Sequence, residues 1–303
     1  MGPTAAGKSV VAGGLAGRWP GVEVVSVDSM QVYRGMDVGT AKPGAAERAG
    51  LRHHLVDLVD PGQEFSVSRF QAAAVACLED LAARGVRPLL VGGTGLYLRA
   101  VIDDLDLPGQ WPEIRSALEA EADAVGPEEL HQRLAGLDPV AAGRMLPSNR
   151  RRVVRALEVC VGSGRPFSSF GPGLLEYPAR PVRIFGLEVP RVELDERIGR
   201  RFDRQIEAGL LEEVRALSRR PGGLSRTARQ ALGYRELLAY LDGAYADPAS
   251  ARDDAVRRIR AFARRQEAWF RRDPRIEWVP AAGPDGPGNA VATIVQRLGD
   301  WWT

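Results

Sequence analysis

Residues 2–9 read GPTAAGKS, and a β-branched run, VEVVSVDS, follows at 22–29. The first stretch fits G-x-x-x-x-G-K-[ST]. In that pattern glycines let successive backbone N–H groups turn inward onto phosphate, Lys8 reaches the outer phosphates, and the Ser9 hydroxyl can bind Mg²⁺. Ser9–Arg18 predicts a short helix, whose positive N-terminal end strengthens the same pull. The run at 22–29 ends in an acid, as a buried parallel strand beside such a loop does.

Working outward, residues 28–43 (DSMQVYRGMDVGTAKP) have little periodicity and end in Lys-Pro, which predicts a functional loop with at most a short helix. Leu55–Asp57, preceded by His53 and His54, reads as a further short strand. Helical periodicity covers 69–85, with Ser66 or Ser68 as N-cap and Gly85 as stop. RPLLVGG (87–93) is the next strand and TGLYLRAVI (94–102) the next helix. Alternating strands and helices predict an α/β fold with a mostly parallel sheet. From Asp103 to Pro147 only helical segments broken by Pro and Gly remain. A helix at 148–164, a Gly/Pro/Ser-rich loop to Tyr177, a strand at 180–189 and a stretch that reads as helical throughout from 193 to 272 follow. The expected division is a phosphate-loop core at 1–105, a helical insertion at 106–147, and the rest of the core at 148–303.

The bulk numbers exclude several classes. At 303 residues, 45% hydrophobic and 26% charged, the chain can build a core without covalent staples. It contains no apolar run of the roughly 20 residues that span a bilayer, and no leader pattern, so the cytoplasm is the expected compartment. Cys77 and Cys160 read as buried thiols, and with His53, His54 and His131 they show no metal-ligand spacing. Net charge is only +2, but eight arginines between 257 and 275 face two acids, a local +6. Lys8 and Lys42 are the only lysines.

The usual hydrolase accessories are thin. Nucleotide-hydrolysing relatives of this loop need an acid for Mg²⁺ and a residue orienting the attacking group. Strand 87–93 ends in glycines where an acid is usual, and Leu98 replaces the third glycine of a dinucleotide fingerprint. Asp28 is the one acid at a strand end. By itself it reads equally as a general base, a Mg²⁺ ligand or a helix cap.

GPTAAGKS, DSMQVYRGMDVGTAKP, HHLVD (53–57), PLLVGGTGLYLRA (88–100), RRVVRALEV (151–159), QALGYRE (230–236) and FARRQEAWFRRD (262–273) resemble, in this order, the tRNA dimethylallyltransferase family. The resemblance implies transfer of a dimethylallyl group from dimethylallyl diphosphate to N6 of the adenosine 3′-adjacent to the anticodon. It implies Mg²⁺ as cofactor, with Ser9 as metal ligand, and Gly2, Pro3, Thr4, Ala5, Ala6, Gly7, Lys8 and Ser9 around the diphosphate. Asp28 becomes the base, with Lys8 and Thr4 beside it in catalysis. Contacts to tRNA are implied for Asp28, Ser29, Met30, Gln31, Thr94, Arg115, Arg151, Arg152, Arg155, Gln230, Gly233, Tyr234 and Arg235. Lys42 reads either as a counter-charge for phosphate or as a solvated loop lysine, and Tyr33 and Arg34 as channel lining. His53 and His54 read as structural. The chain is expected to act as a monomer, with tRNA and dimethylallyl diphosphate as partners and no membrane contact.

The last long helix reads independently of the family. Ile259, Phe262, Ala263, Gln266, Trp269 and Phe270 share one face. Arg257, Arg264 and Arg271 form a second stripe beside Arg258, Arg265 and Arg272. Lacking i,i+4 acids, the stripe predicts RNA contact, Arg264 included; the plainer reading is a solvated face. Family members carry an apolar strand before the phosphate loop, and only Met1 stands there. The expectation is a misplaced start or a shortened chain; if Met1 is genuine, weak stability or a strand borrowed from elsewhere. The rival functions are prenylation of free adenine nucleotide, a phosphate-loop kinase, and tRNA binding without catalysis.

Overall fold

The computed structural model describes residues 1–171, 173–174 and 176–299. Three parallel strands open the chain: β1 (Val22–Val27), β2 (His53–His54) and β3 (Arg87–Gly92), ordered β2-β1-β3. Val24, Val25 and Val27 of the central strand are buried, as the β-branched run demands. Around them lie helices α1 (Lys8–Ala16), α2 (Ala45–Gly50), α3 (Val67–Ala83) and α4 (Gly95–Ile102). Ser66 Oγ accepts the Arg69 N–H at 3.3 Å to start α3, and Gly85, at φ 65°, follows its end. β3 closes on β1 through Gly92, where any Cβ would lie 2.0 Å from Val27 O. The strand expected at 55–57 does not form, because Leu55 and Asp57 take positive φ; the strand is the preceding His53–His54.

Residues 103–178 form a compact helical unit of their own. It comprises α5 (Pro112–Val125), α6 (Pro127–Leu137), α7 (Pro139–Ala142) and α8 (Arg150–Ser163). Leu118 and Ala122 of α5, Leu130 and Leu134 of α6, and Val153, Val154, Leu157 and Cys160 of α8 make its core. Each of the buried Leu and Val side chains among these contributes about 1.5–3 kcal/mol. This boundary differs from the expected 106–147: the apolar face of α8 turns to α5 and α6, so residues 148–178 join the helical unit. The Gly/Pro/Ser-rich stretch beyond α8 is described except at residues 172 and 175.

The second half of the core begins at Ala179. β4 (Ile184–Glu188) is followed by α9 (Arg191–Glu207), α10 (Leu210–Ser218), α11 (Arg226–Arg229), α12 (Tyr234–Leu241) and α13 (Pro248–Phe270). β5 (Ile276–Pro280) then pairs parallel with β4, and α14 (Gly286–Leu298) packs on α1. Neither β5 nor α14 was expected. Met1 lies along β4: its amine donates to Phe185 O at 2.6 Å, and Leu187 N–H donates to Met1 O at 2.9 Å. The phosphate loop therefore leans on β4. Cys160 is buried, Cys77 only partly, and both thiols are free. Among the described residues, no helix is long and apolar enough to cross a membrane.

Candidate active site

The loop 2–9 bends through Ala5, at φ 63°, and Gly7, at φ 94°, before α1 begins. Positive-φ residues of this kind are what let a loop turn backbone N–H groups inward as an anion nest; here the Ala6 N–H itself donates to Pro3 O at 3.3 Å. Lys8 folds back over the loop, and its Nζ donates to Pro3 O at 2.7 Å. Burial and the Arg201 charge push the Lys8 ammonium down to about 8, while Asp28 pulls it the other way. Arg201 of α9 donates from Nη1 to Thr4 Oγ1 at 3.2 Å, and burial depresses its pKa as well. Two cations withdrawn from solvent thus converge on one loop. Such a cluster lowers its own electrostatic cost by taking up an anion.

Across from the loop, Asp28 leaves the end of β1. Its Oδ1 accepts the Met30 N–H at 2.8 Å and the Gln31 N–H at 3.3 Å, so it does cap a turn, as one reading held. Among the described residues its second oxygen has no hydrogen-bond partner, which leaves a carboxylate oxygen for chemistry. Its charge acts on both Lys8 and Arg201. Thr94, just past β3, accepts the Ser29 N–H at 3.2 Å. Gln31 is held by Ser26 Oγ, which donates to its Oε1 at 2.8 Å, and its Nε2 donates to Thr40 O at 3.2 Å.

The loop at 36–42 is fixed from the second half of the chain. Glu213 of α10 accepts the N–H groups of Asp37, Val38 and Gly39 at 2.9, 2.8 and 3.3 Å, and the Tyr234 hydroxyl at 2.5 Å. Gln205 of α9 donates to Val38 O and Gly39 O at 2.7 and 3.0 Å. A Cβ on Gly39 would meet the Tyr234 ring at 2.3 Å, so this approach requires glycine. Lys42 follows neither expectation. Its side chain is 1% exposed and bonds Asp37 and Asp57 at 2.7 and 2.6 Å, together with Tyr33 O. It is an internal cross-link. Tyr33, expected in a channel, is wholly buried in the core, and Arg34 is exposed with its guanidinium on Leu58 O.

The residues expected to meet tRNA divide into three groups. Ser29, Met30 and Gln31 stay beside Asp28; Arg151, Arg152, Gln230 and Arg264 are exposed. The others have internal partners. Arg115 and Arg155 both bind the fully buried Glu158, at 2.6 and 3.0 Å, and Arg155 also donates to Pro108 O and Gly109 O. Tyr234 is fully buried, Arg235 pairs with Glu236 at 2.6 Å, and Gly233 donates its N–H to Glu236. The arginine stripe is also less bare than its spacing implied. Asp254, one turn before the stripe begins, pairs with Arg257 and Arg258, and Glu267 pairs with Arg271. Arg264 has no ion partner among the described residues, and Arg265 lies 5.8 Å over the Phe262 ring.

Arg201 is the residue the sequence reading missed. It lies among Arg191, Arg197, Arg200 and Arg204, and nothing local singles it out. A signal existed in the periodicity: Leu194, Ile198, Arg201 and Gln205 form one i, i+4, i+7, i+11 stripe, placing two polar side chains on an otherwise apolar, core-facing line.

A phosphate-type loop with two cations, set opposite a strand-end carboxylate, defines an α/β phosphate-loop protein that can hold an anion beside a carboxylate. The chain belongs to the IPP transferase family, whose model matches residues 31–273. It is 52% identical to the tRNA dimethylallyltransferase of Kineococcus radiotolerans, over 98% of this chain and 95% of the relative. That of Acidothermus cellulolyticus is 51% identical, over 100% and 92%. Among solved structures, the tRNA isopentenylpyrophosphate transferase of Bacillus halodurans is 38% identical with a TM-score of 0.69, covering 98% of this chain and 94% of its own. A eukaryotic dimethylallyltransferase acting on tRNA reaches 0.80 at 26% identity, covering 99% and 77%.

Proposed function

We propose that this chain transfers the dimethylallyl group of dimethylallyl diphosphate to N6 of the adenosine 3′-adjacent to the anticodon of tRNA. The allylic C–O bond breaks, a C–N bond forms, diphosphate leaves, and the N6 proton passes to Asp28. The observation that carries this reading is Lys8 and Arg201 on the phosphate loop opposite the free oxygen of Asp28. Negative charge develops on the departing diphosphate, so fixed cations and amides lower the barrier directly. The exocyclic amine is a weak nucleophile because its lone pair is conjugated with the ring, and a nearby carboxylate removes its proton as the bond forms. The adenosine reaches this position by extrusion from the anticodon loop. Relatives of this chain bear the name of the same activity, which supports the assignment.

Mg²⁺ fits the donors present. It keeps several waters and takes substrate phosphate oxygens with few protein ligands. Ser9 is exposed at the start of α1, and among the described residues no cluster of three His, Cys, Asp or Glu offers a dedicated cage. Ser9 would hold the ion, which when bound neutralises diphosphate charge. A carboxylate-rich cage is not needed for that. The place of action is the cytoplasm, where tRNA is found.

The test is to incubate the protein with Mg²⁺, dimethylallyl diphosphate and unmodified tRNA, with AMP in a parallel tube, and to weigh the products. A gain of one dimethylallyl group on tRNA alone is expected; product on AMP, or none in either tube, overturns the reading. Two further outcomes follow. Lys8 binds diphosphate as the cation, and in the free protein it loses its proton near 8. The pH profile of kcat/KM for dimethylallyl diphosphate should therefore be level below that pH and fall above it. A profile flat to pH 10 would show that Lys8 does not hold the diphosphate as a cation. Arg264→Glu should weaken tRNA binding about tenfold, most strongly at low salt, with KM for dimethylallyl diphosphate unchanged. Filter binding at two salt concentrations checks it, and equal affinities remove Arg264 from the interface.

A further inference from the structure

Gln266 follows the exposed Arg264 and Arg265 on α13, yet its side chain is buried. Its Oε1 accepts the Thr4 N–H at 2.9 Å, and its Nε2 donates to Gly93 O at 2.8 Å. One side-chain amide thereby joins the phosphate loop to the turn leaving β3. The next residue of that turn, Thr94, supports Ser29 beside Asp28. Space has been left for the amide: a Cβ on Gly93 would lie 2.5 Å from Gln266 Nε2. A methionine or leucine would fill the same volume. Only a donor and an acceptor on one planar group satisfy both backbone atoms, and a buried backbone N–H or C=O without a partner is costly.

The Thr4 amide points to Gln266, so it belongs to the frame of the loop and not to the set of amides that receive the ligand. We propose that Gln266 is a positioning residue: it locks the phosphate loop in the conformation that accepts diphosphate. It does so from the helix that carries Arg264. This rests on the proposed function in taking diphosphate as the loop's ligand. Gln266 acts through Thr4 and Gly93 and touches no reacting atom.

Gln266→Met keeps the volume and helix propensity while removing both hydrogen bonds. Calorimetry with inorganic diphosphate and Mg²⁺ should show Kd raised about tenfold, the scale of two neutral hydrogen bonds. kcat/KM for dimethylallyl diphosphate should fall by a similar factor, with KM for tRNA within about twofold of wild type. Gln266→Glu should bind diphosphate more weakly still, because it adds a negative charge beside the anion site. Wild-type diphosphate affinity in folded Gln266→Met overturns the proposal, as does an equal rise in KM for both substrates. Should Gln266→Met fail to fold, Gly93→Ala displaces the same amide from the other side, and its diphosphate Kd decides by the same criterion. Wild-type protein that binds diphosphate but transfers nothing to tRNA overturns the proposed function and leaves this test standing.

Discussion

Asp28→Asn should lower kcat for prenyl transfer on the order of 10³-fold, within the usual range for a general base, and leave both substrates bound. The substitution is clean for a structural reason. Asp28 Oδ1 accepts the Met30 and Gln31 N–H groups, and an amide oxygen accepts the same two bonds, so the turn survives. Only the proton-accepting oxygen is lost, replaced by an NH₂ group. Single-turnover rates measured with tRNA affinity alongside separate the chemical step from binding. Retention of more than a tenth of the wild-type rate would remove Asp28 as the base and return it to its capping role.

Arg201→Met should cut kcat/KM for dimethylallyl diphosphate by about 10²- to 10³-fold, the loss seen when one preorganised donor to a developing anion is removed. Arg201 reaches Thr4 Oγ1 from α9, and its charge depresses Lys8. With Arg201 gone, the Lys8 pKa should rise in the free protein, so the alkaline limb of the pH profile should move to higher pH. Arg201→Lys should recover only part of the loss, since a point charge cannot reproduce a planar fork. The measurement is steady-state kinetics with each substrate varied in turn. A fall confined to KM for tRNA would place Arg201 on the nucleic acid and not on the diphosphate.

What the sequence made legible was local. GPTAAGKS, the β-branched run of β1 and the capped α3 each declare themselves within about ten residues, because backbone conformation and one-face burial are short-range properties. Partnership is not short-range. Nothing near the arginines at 115 and 155 in the sequence announces that they share the buried Glu158. Lys42 resembles a solvated lysine until Asp57 arrives. The internal use of Tyr234 depends on Glu213, more than twenty residues upstream. The stripe on α13 reads as unpaired only when Asp254, just ahead of the first arginine, and Glu267, four residues before Arg271, are left out. β5 was missed although Ile276–Pro280 has the right residues, since its partner β4 lies about ninety residues earlier and no hairpin marks the pair.

The core is assembled from residues 1–102 and 179–299, with the helical unit's residues between them in the chain. A ribosome releases the phosphate loop well before its supports: β4 under Met1, Arg201 on Thr4, Gln266 on Thr4, and α14 against α1. Domains form as their contacts become available during synthesis, so α5 to α8 can complete their own packing while the loop still waits. Residues translated well before these supports are thus among the last to be fixed. A nascent chain halted before α13 would carry the whole phosphate-loop sequence and lack the amide that frames it.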